Sequence, residues 1–194
     1  MILTDKRLER YKNVLQGRQL DLTVVCENIH DPHNVSAILR SCDAVGVCTV
    51  HLLYTKETFP QLDKKSSASA KKWINIKRFN DYEKLRERLK AKKMTIYATY
   101  IDPSAKSIYE VDWTQPSAIL VGNEHRGVSN KCLKIADHAI SIPMFGMVES
   151  LNVSVATAVI LYEACRQRIS QQRYPTEKDS KWMNKTLQSW IQKK

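Results

Sequence analysis

The chain has 194 residues, 43% of them hydrophobic and 26% charged, which suits one well-buried domain with a modest extension and excludes a disordered or fibrous protein. Lys and Arg number 31 against 20 acidic residues, so the net charge is +11 and the pI is near 9.5, a balance that favours a polyanionic partner. The start MILTDKRLER lacks an apolar signal core and no apolar run reaches spanning length, so a cytoplasmic protein without a membrane partner is expected.

In chain order, residues 5–16 read as a basic helix stopped by Gly17. LTVVCENI (22–29) reads as a strand, PHNVSAILRSCDAVG (32–46) as an amphipathic helix, and CTVHLLY (48–54) as a second strand, together a βαβ unit. The Lys/Ser/Ala-rich stretch 56–72 reads as a loop with a helical turn, and WINIKRF as a brief strand. DYEKLRERLKAKK (81–93) is a polar-faced helix. MTIYATY (94–100) and SAILVG (117–122) are strands joined by the turn-rich DPSAKS and a stretch holding Trp113. A short helix near 129–135 leads to the strand HAISIPM (138–144), and the apolar helix 151–168 follows. Tyr174-Pro175 breaks the chain before a basic helix at about 177–192. Alternating strands and helices predict an α/β fold, a parallel sheet covered by helices on both faces.

The charge is concentrated at the ends. Residues 1–20 carry a net +3 and residues 163–194 a net +5, leaving +3 for everything between. Two basic ends around a near-neutral centre suit arms that grip a phosphate backbone. The five cysteines form no C-x-x-C pair, and most sit inside apolar runs, which predicts buried thiols in a reducing compartment. His30 and His33 are spaced like a metal pair, but the intervening Pro32 and the lack of further ligands predict no metal.

Three of only five glycines (Gly122, Gly127, Gly146) lie within 25 residues of one another, in loops that follow strands. AILVGNEHRGVS (118–129) resembles a triphosphate loop, but Val128 stands where the phosphate-binding lysine belongs, and no G-x-G-x-x-G occurs. A polar cluster, ESLNVS (149–154), opens the apolar helix, with Ser150 and Asn152 as capping types. In residues 30–47, Val35, Ile38, Leu39, Cys42 and Val45 fall on a core face. Arg40 falls with Ser36 and Asp43 on the other, where Arg40 and Asp43 form a candidate surface pair.

Three stretches then carry a family: N-x-S-A-I-L-R-x-x-D-A-x-G-V, I-L-x-G-x-E-x-x-G-V-S, and I-P-M-x-G-M-x-x-S-L-N-V-S-V-A-x-A-V-I-L-Y-E-A. In order and spacing they resemble the three motifs of the SPOUT-class RNA 2'-O-methyltransferases, most closely the TrmH branch acting on guanosine 18 of transfer RNA. The resemblance spans about residues 20–170 and implies a C-terminal trefoil knot, a homodimer and S-adenosylmethionine as cofactor. It divides the chain into a basic N-terminal helix (1–20), a SPOUT domain (21–170) and a basic C-terminal helical extension (171–194). Position by position it implies Asn34, Arg40, Glu124, Ser150 and Asn152 as catalytic-motif residues. Thr99, Val121, Gly122, Ile142, Met144 and Leu151 would contact the cofactor, with Gly122 letting backbone approach it. Arg18, Arg166, Arg168 and Arg173 would grip transfer RNA. Arg40 is expected to bind a phosphate and stabilise the forming alkoxide, because a guanidinium does not readily give up a proton. A ribosomal RNA methyltransferase, an idle RNA-binding protein and a nucleotide hydrolase are the rival readings. The hydrolase is weakest, because Val128 removes its lysine.

Overall fold

The computed structural model describes residues 4–61, 70–174 and 180–192. Seven strands form one sheet: β1 (Gln19–Glu27), β2 (Val47–Leu53), β3 (Asn75–Phe79), β4 (Thr95–Thr99), β5 (Lys106–Ser107), β6 (Ser117–Val121) and β7 (His138–Ser141). Their spatial order is β3-β2-β1-β6-β4-β7-β5, and every pairing is parallel. Parallel strands need crossovers, and α2 (Pro32–Ala44), α3 (Tyr82–Lys90) and α4 (Asn130–Ile135) supply three of them, while α5 (Val153–Ser170) follows the last strand and packs back against the core. The terminal helices α1 (Asp5–Gln16) and α6 (Ser180–Ile191) and a 3₁₀ turn at Ala70–Lys72 lie outside this pattern.

Both faces of the sheet's centre are buried. On one, Val24, Cys26, Val50 and Ile119 pack with Val35, Ile38, Leu39 and Cys42 of α2 and Ile160, Leu161 and Ala164 of α5. On the other, Val25, Ile96, Ala98 and Leu120 pack with Leu85 and Leu89 of α3 and Cys132 and Ile135 of α4. Each such aliphatic side chain removed from water contributes about 1.5–3 kcal/mol before conformational entropy is counted. That alternation explains why β6 is buried throughout and reads as an unbroken apolar run. A third cluster joins Tyr11 and Leu15 of α1 to Trp190 of α6, with Trp73 against them, so the two chain ends form one lobe.

The main differences from the sequence reading have simple causes. β1 starts at Gln19, not at 22, because Gln19 already pairs with Val47 ahead of an irregularity in register. β5 lies hidden inside the turn-rich DPSAKS segment: two residues pairing through backbone onto β7 leave no apolar pattern. The strand expected at 138–144 stops at Ser141. Ser36, expected beside Arg40 on the outer face of α2, is buried. The break at Tyr174-Pro175 and the start of the last expected helix fall partly on 175–179, outside the described residues, as do 62–69 of the loop at 56–72.

β1 leads through α2 to β2 on one side, while β6 leads through α4 to β7 on the other. The carboxyl ends of the adjacent strands β1 and β6 therefore flank the point where crossovers diverge, which is where open α/β sheets bind ligands.

Candidate functional site

Glu124 sits in the loop after β6 and reaches across that point. Its Oε2 accepts from the His30 backbone N–H (2.9 Å), and its Oε1 accepts from the Asp31 N–H (3.2 Å) and the Asn34 Nδ2 (2.8 Å). Burial pushes its carboxyl upward, but the Asn34 amide and the backbone donors outweigh that and hold it below the usual glutamate value. Asn34, on the first turn of α2, in turn accepts through Oδ1 from Asn152 Nδ2 (3.1 Å). Asn152 caps α5 with its own Oδ1, which takes the Ser154 N–H (2.8 Å) and hydroxyl (2.6 Å). One chain of hydrogen bonds thus joins residues 94 and more positions apart in pairs such as His30 and Glu124 or Asn34 and Asn152. The three sequence motifs meet there.

The loop 122–127 is folded tightly on itself. Asn123 and Gly127 exchange backbone hydrogen bonds (3.1 and 2.8 Å), and Gly127 has φ +65°, a conformation glycine adopts without strain. A Cβ on Gly122 would overlap the Gly127 backbone. The loop's own chain therefore already requires glycine at 122.

Around this network, Val121 is buried, Thr99, Ile142 and Met144 are half-buried, and Leu151 is exposed at 37%. Thr99 donates its hydroxyl to the Leu120 carbonyl (3.3 Å). Ser150 is exposed, and Phe145 and Met147 beside it are fully exposed. Arg40 is exposed on α2, six residues and roughly 9 Å of helix rise beyond Asn34. It does not share the Glu124 network. Asp43, its expected surface partner, pairs instead with Arg18 (2.5 Å). A shallow cavity of about 290 Å3 beside β4 and β7, lined by Tyr100, Asp102, Ser104, Leu133, Asp137 and His138 among others, includes none of the motif residues.

Two of the four arginines assigned to nucleic acid lie inside the protein. Arg18 is 1% exposed, bonded to Asp43 and the Val47 carbonyl and stacked on Trp190. Arg168 is fully buried and donates to the Trp113 and Gln115 carbonyls, Gln19 and Asp21. Neither guanidinium is open to a phosphate, because both are consumed in fastening chain segments together. Arg173 joins the second cluster through Asp21 (2.9 Å), and Arg166 is exposed but bridges Glu163. Sequence reasoning passed over Glu27, Asn28, Asn123 and Ser129, which brace the loop. Ser129 stands at a defined position of the second motif, but nothing in the spacing of the other three marks them, since partners lie up to 102 positions away.

A parallel sheet whose carboxyl ends carry glycine loops and an α5-capping asparagine tied to α2 defines the class. Residues 21–162 match the SpoU rRNA Methylase family. The chain is 46% identical over 98% of both chains to tRNA (guanosine(18)-2'-O)-methyltransferase of Thermus thermophilus. It superimposes on the A. aeolicus TrmH/SpoU tRNA modifying enzyme with a TM-score of 0.89 at 39% identity, covering 96% and 95% of the two chains. It also resembles the SpoU methyltransferase AviRb from Streptomyces viridochromogenes, solved in complex with the cofactor AdoMet, with a TM-score of 0.68 at 30% identity over 76% and 60% of the chains. The chain belongs to the SpoU methylase family.

Proposed function

We propose that the protein is an S-adenosylmethionine-dependent tRNA (guanosine-18-2'-O)-methyltransferase that works as a homodimer in the cytoplasm. The observation that carries the reading is the Glu124–Asn34–Asn152 chain of hydrogen bonds, which assembles the three motifs at the switch point of the sheet. The near full-length similarity to transfer RNA methyltransferases supports the substrate.

The residues present fit the cofactor. Half-buried Thr99, Ile142 and Met144, with Leu151 and backbone at Val121 and Gly122, offer apolar faces and peptide groups to an adenosine and a methionyl chain. When bound, S-adenosylmethionine supplies an electrophilic methyl group on a sulfonium. Glu124 does not face the reaction in this reading. It holds the loop, and Asn34 and Asn152 transmit that position to α2 and α5. Arg40 binds the phosphate beside the target ribose and stabilises negative charge developing on the 2'-oxygen, and Ser150 lies beside the ribose.

The homodimer reading draws on α5. Val155, Tyr162 and Ile169 are exposed at intervals of seven residues, and Phe145, Met147 and Val148 extend the apolar surface. The trefoil knot is proposed for the passage from β7 through 142–152 into α5, supported by the return of Asn152 to Asn34 and of α5 onto α2. The division into 1–20, 21–170 and 171–194 stands as a description of sequence, with the two ends packed together. Transfer RNA contacts are reassigned to the outer face of that lobe, where Lys6, Arg10 and Lys12 of α1 and Lys181 and Lys185 of α6 are exposed, alongside Arg166.

The test is incubation with labelled S-adenosylmethionine and an unmodified transfer RNA transcript, followed by mapping of the methyl group. One 2'-O-methyl at guanosine 18, absent when that nucleotide is 2'-deoxy, is the expected result. Label confined to ribosomal RNA moves the protein to another substrate, and no label on any RNA overturns the enzymatic reading.

A further inference from the structure

We propose that Glu27 and Asn28, at the carboxyl end of β1, are positioning residues that hold the 122–129 loop in its cofactor-binding shape. The inference rests on the methyltransferase reading above and assigns work to residues outside the three motifs.

Glu27 is 1% exposed. Its Oε2 accepts from the Ser129 backbone N–H (2.9 Å) and its Oε1 from the Ser129 hydroxyl (2.5 Å), with the Tyr82 hydroxyl at 3.4 Å. Among the described residues no cation pairs with it. A buried carboxylate without a cation is costly, and a carboxylate is the side chain that offers two acceptors and no donor. That is what Ser129 demands, with an N–H and an O–H directed at the same place. An amide there would set a donor against a donor.

Asn28 braces the other end. Its carbonyl accepts from Asn123 Nδ2 (2.8 Å), where the loop begins. Its backbone is left-handed, with φ 46°, an unusual conformation for a non-glycine residue. The side chain anchors it there: Oδ1 accepts from the N–H groups of Thr55, Lys56 and Glu57 (2.9, 3.1 and 3.3 Å). The turn so held presents Glu57 to Arg126 (2.6 Å), a third tie, to the middle of the loop. The last residue of β1 and its neighbour thus fix the loop at its start, middle and end, while Glu124 between them closes on 30–34.

The experiment begins with S-adenosylmethionine binding to the wild-type chain by calorimetry. Glu27→Gln, Asn28→Gly and Ser129→Ala are then compared for cofactor Kd, transfer RNA Kd, melting temperature and hydrogen exchange at the Asn123 and Gly127 amides. Asn28→Gly retains the left-handed backbone and deletes only the side-chain anchor. The expected result is a cofactor Kd raised at least tenfold in Glu27→Gln, faster exchange at both amides, and transfer RNA affinity within twofold of wild type. Adding Ser129→Ala to Glu27→Gln should cost little more, since both act on one contact. Folded Glu27→Gln that binds cofactor as wild type, with only its melting temperature lowered, overturns the proposal. If that variant does not fold, unchanged cofactor Kd in both Asn28→Gly and Ser129→Ala overturns it. A wild-type chain that binds no S-adenosylmethionine overturns the methyltransferase reading itself, before any variant is compared.

Discussion

Glu124 is worth more as an acceptor than as a charge. Replacing it by Gln leaves an oxygen for one donor and turns an NH2 toward the others, a loss of about 1–2 kcal/mol, or roughly tenfold in cofactor affinity by calorimetry. Its pKa is depressed, so the unfolded chain takes up the proton first as pH falls. The loop's stabilisation is intact above the ordinary glutamate value and is lost as pH drops through Glu124's own lower one. Cofactor affinity of the wild type should weaken across that window, and that of Glu124→Gln should not. His51 has the same sign by a different route. Burial first, then the nearby Lys92 and Arg88, lower it to about 4. Between its ordinary value near 6.5 and about 4, the unfolded state binds the extra proton, so stability declines as the pH is lowered. His51→Gln should flatten the melting temperature over that range. At Arg40, Ala should reduce the single-turnover methylation rate about 100- to 1,000-fold and Lys should restore little of it, since an ammonium lacks the planar fork.

At the scale of elements, Arg168 decides how α5 is held. It ties the end of that helix to Gln19 and Asp21 at the start of β1 and to the 113–115 carbonyls before β6. Arg168→Ala leaves the Trp113 and Gln115 carbonyls and the Gln19 amide oxygen without their donor, and leaves the partly exposed Asp21 to Arg173 alone, a cost of about 3–5 kcal/mol in all. For a chain of this size that lowers the melting temperature by roughly 6–20 °C. Transfer RNA affinity, measured where the variant is still folded, should barely change. A phosphate-gripping arginine would show the reverse, so the two measurements together separate strut from grip. α2 serves two sites along its length. Its first turn carries Asn34 into the Glu124 network, while its last turn carries Asp43 into the Arg18 contact.

For the whole molecule, the terminal lobe and the site lie at opposite ends of β1. α1 runs into the strand's first residue, whereas Glu27 closes it against the 122–129 loop. A substrate held at both must be long, as a folded RNA is. Charge reversal of Lys6, Arg10 and Lys185 together should weaken transfer RNA binding and reduce the slope of log affinity against log salt by about 2–3, with cofactor affinity unchanged. Tyr162→Asp on the exposed face of α5 should yield monomers by sedimentation, and activity should fall with the dimer.

The sequence by itself determined the parallel α/β plan, because apolar runs and amphipathic periods are local properties of consecutive residues. It also carried the motif residues, whose types and spacing survive in one dimension. β5 escaped because a two-residue pairing depends on which strand lies beside it. The fate of the arginines escaped for a related reason. Arg18 and Arg168 look like Arg166 in sequence, and only tertiary structure decides which meets water and which meets Asp43 or Asp21. Glu27 and Asn28 carry no local mark either, since a carboxylate buried against Ser129 acquires its role from a partner 102 positions away. Local patterning is written along the chain. Burial and pairing arise only when distant segments arrive at the same place.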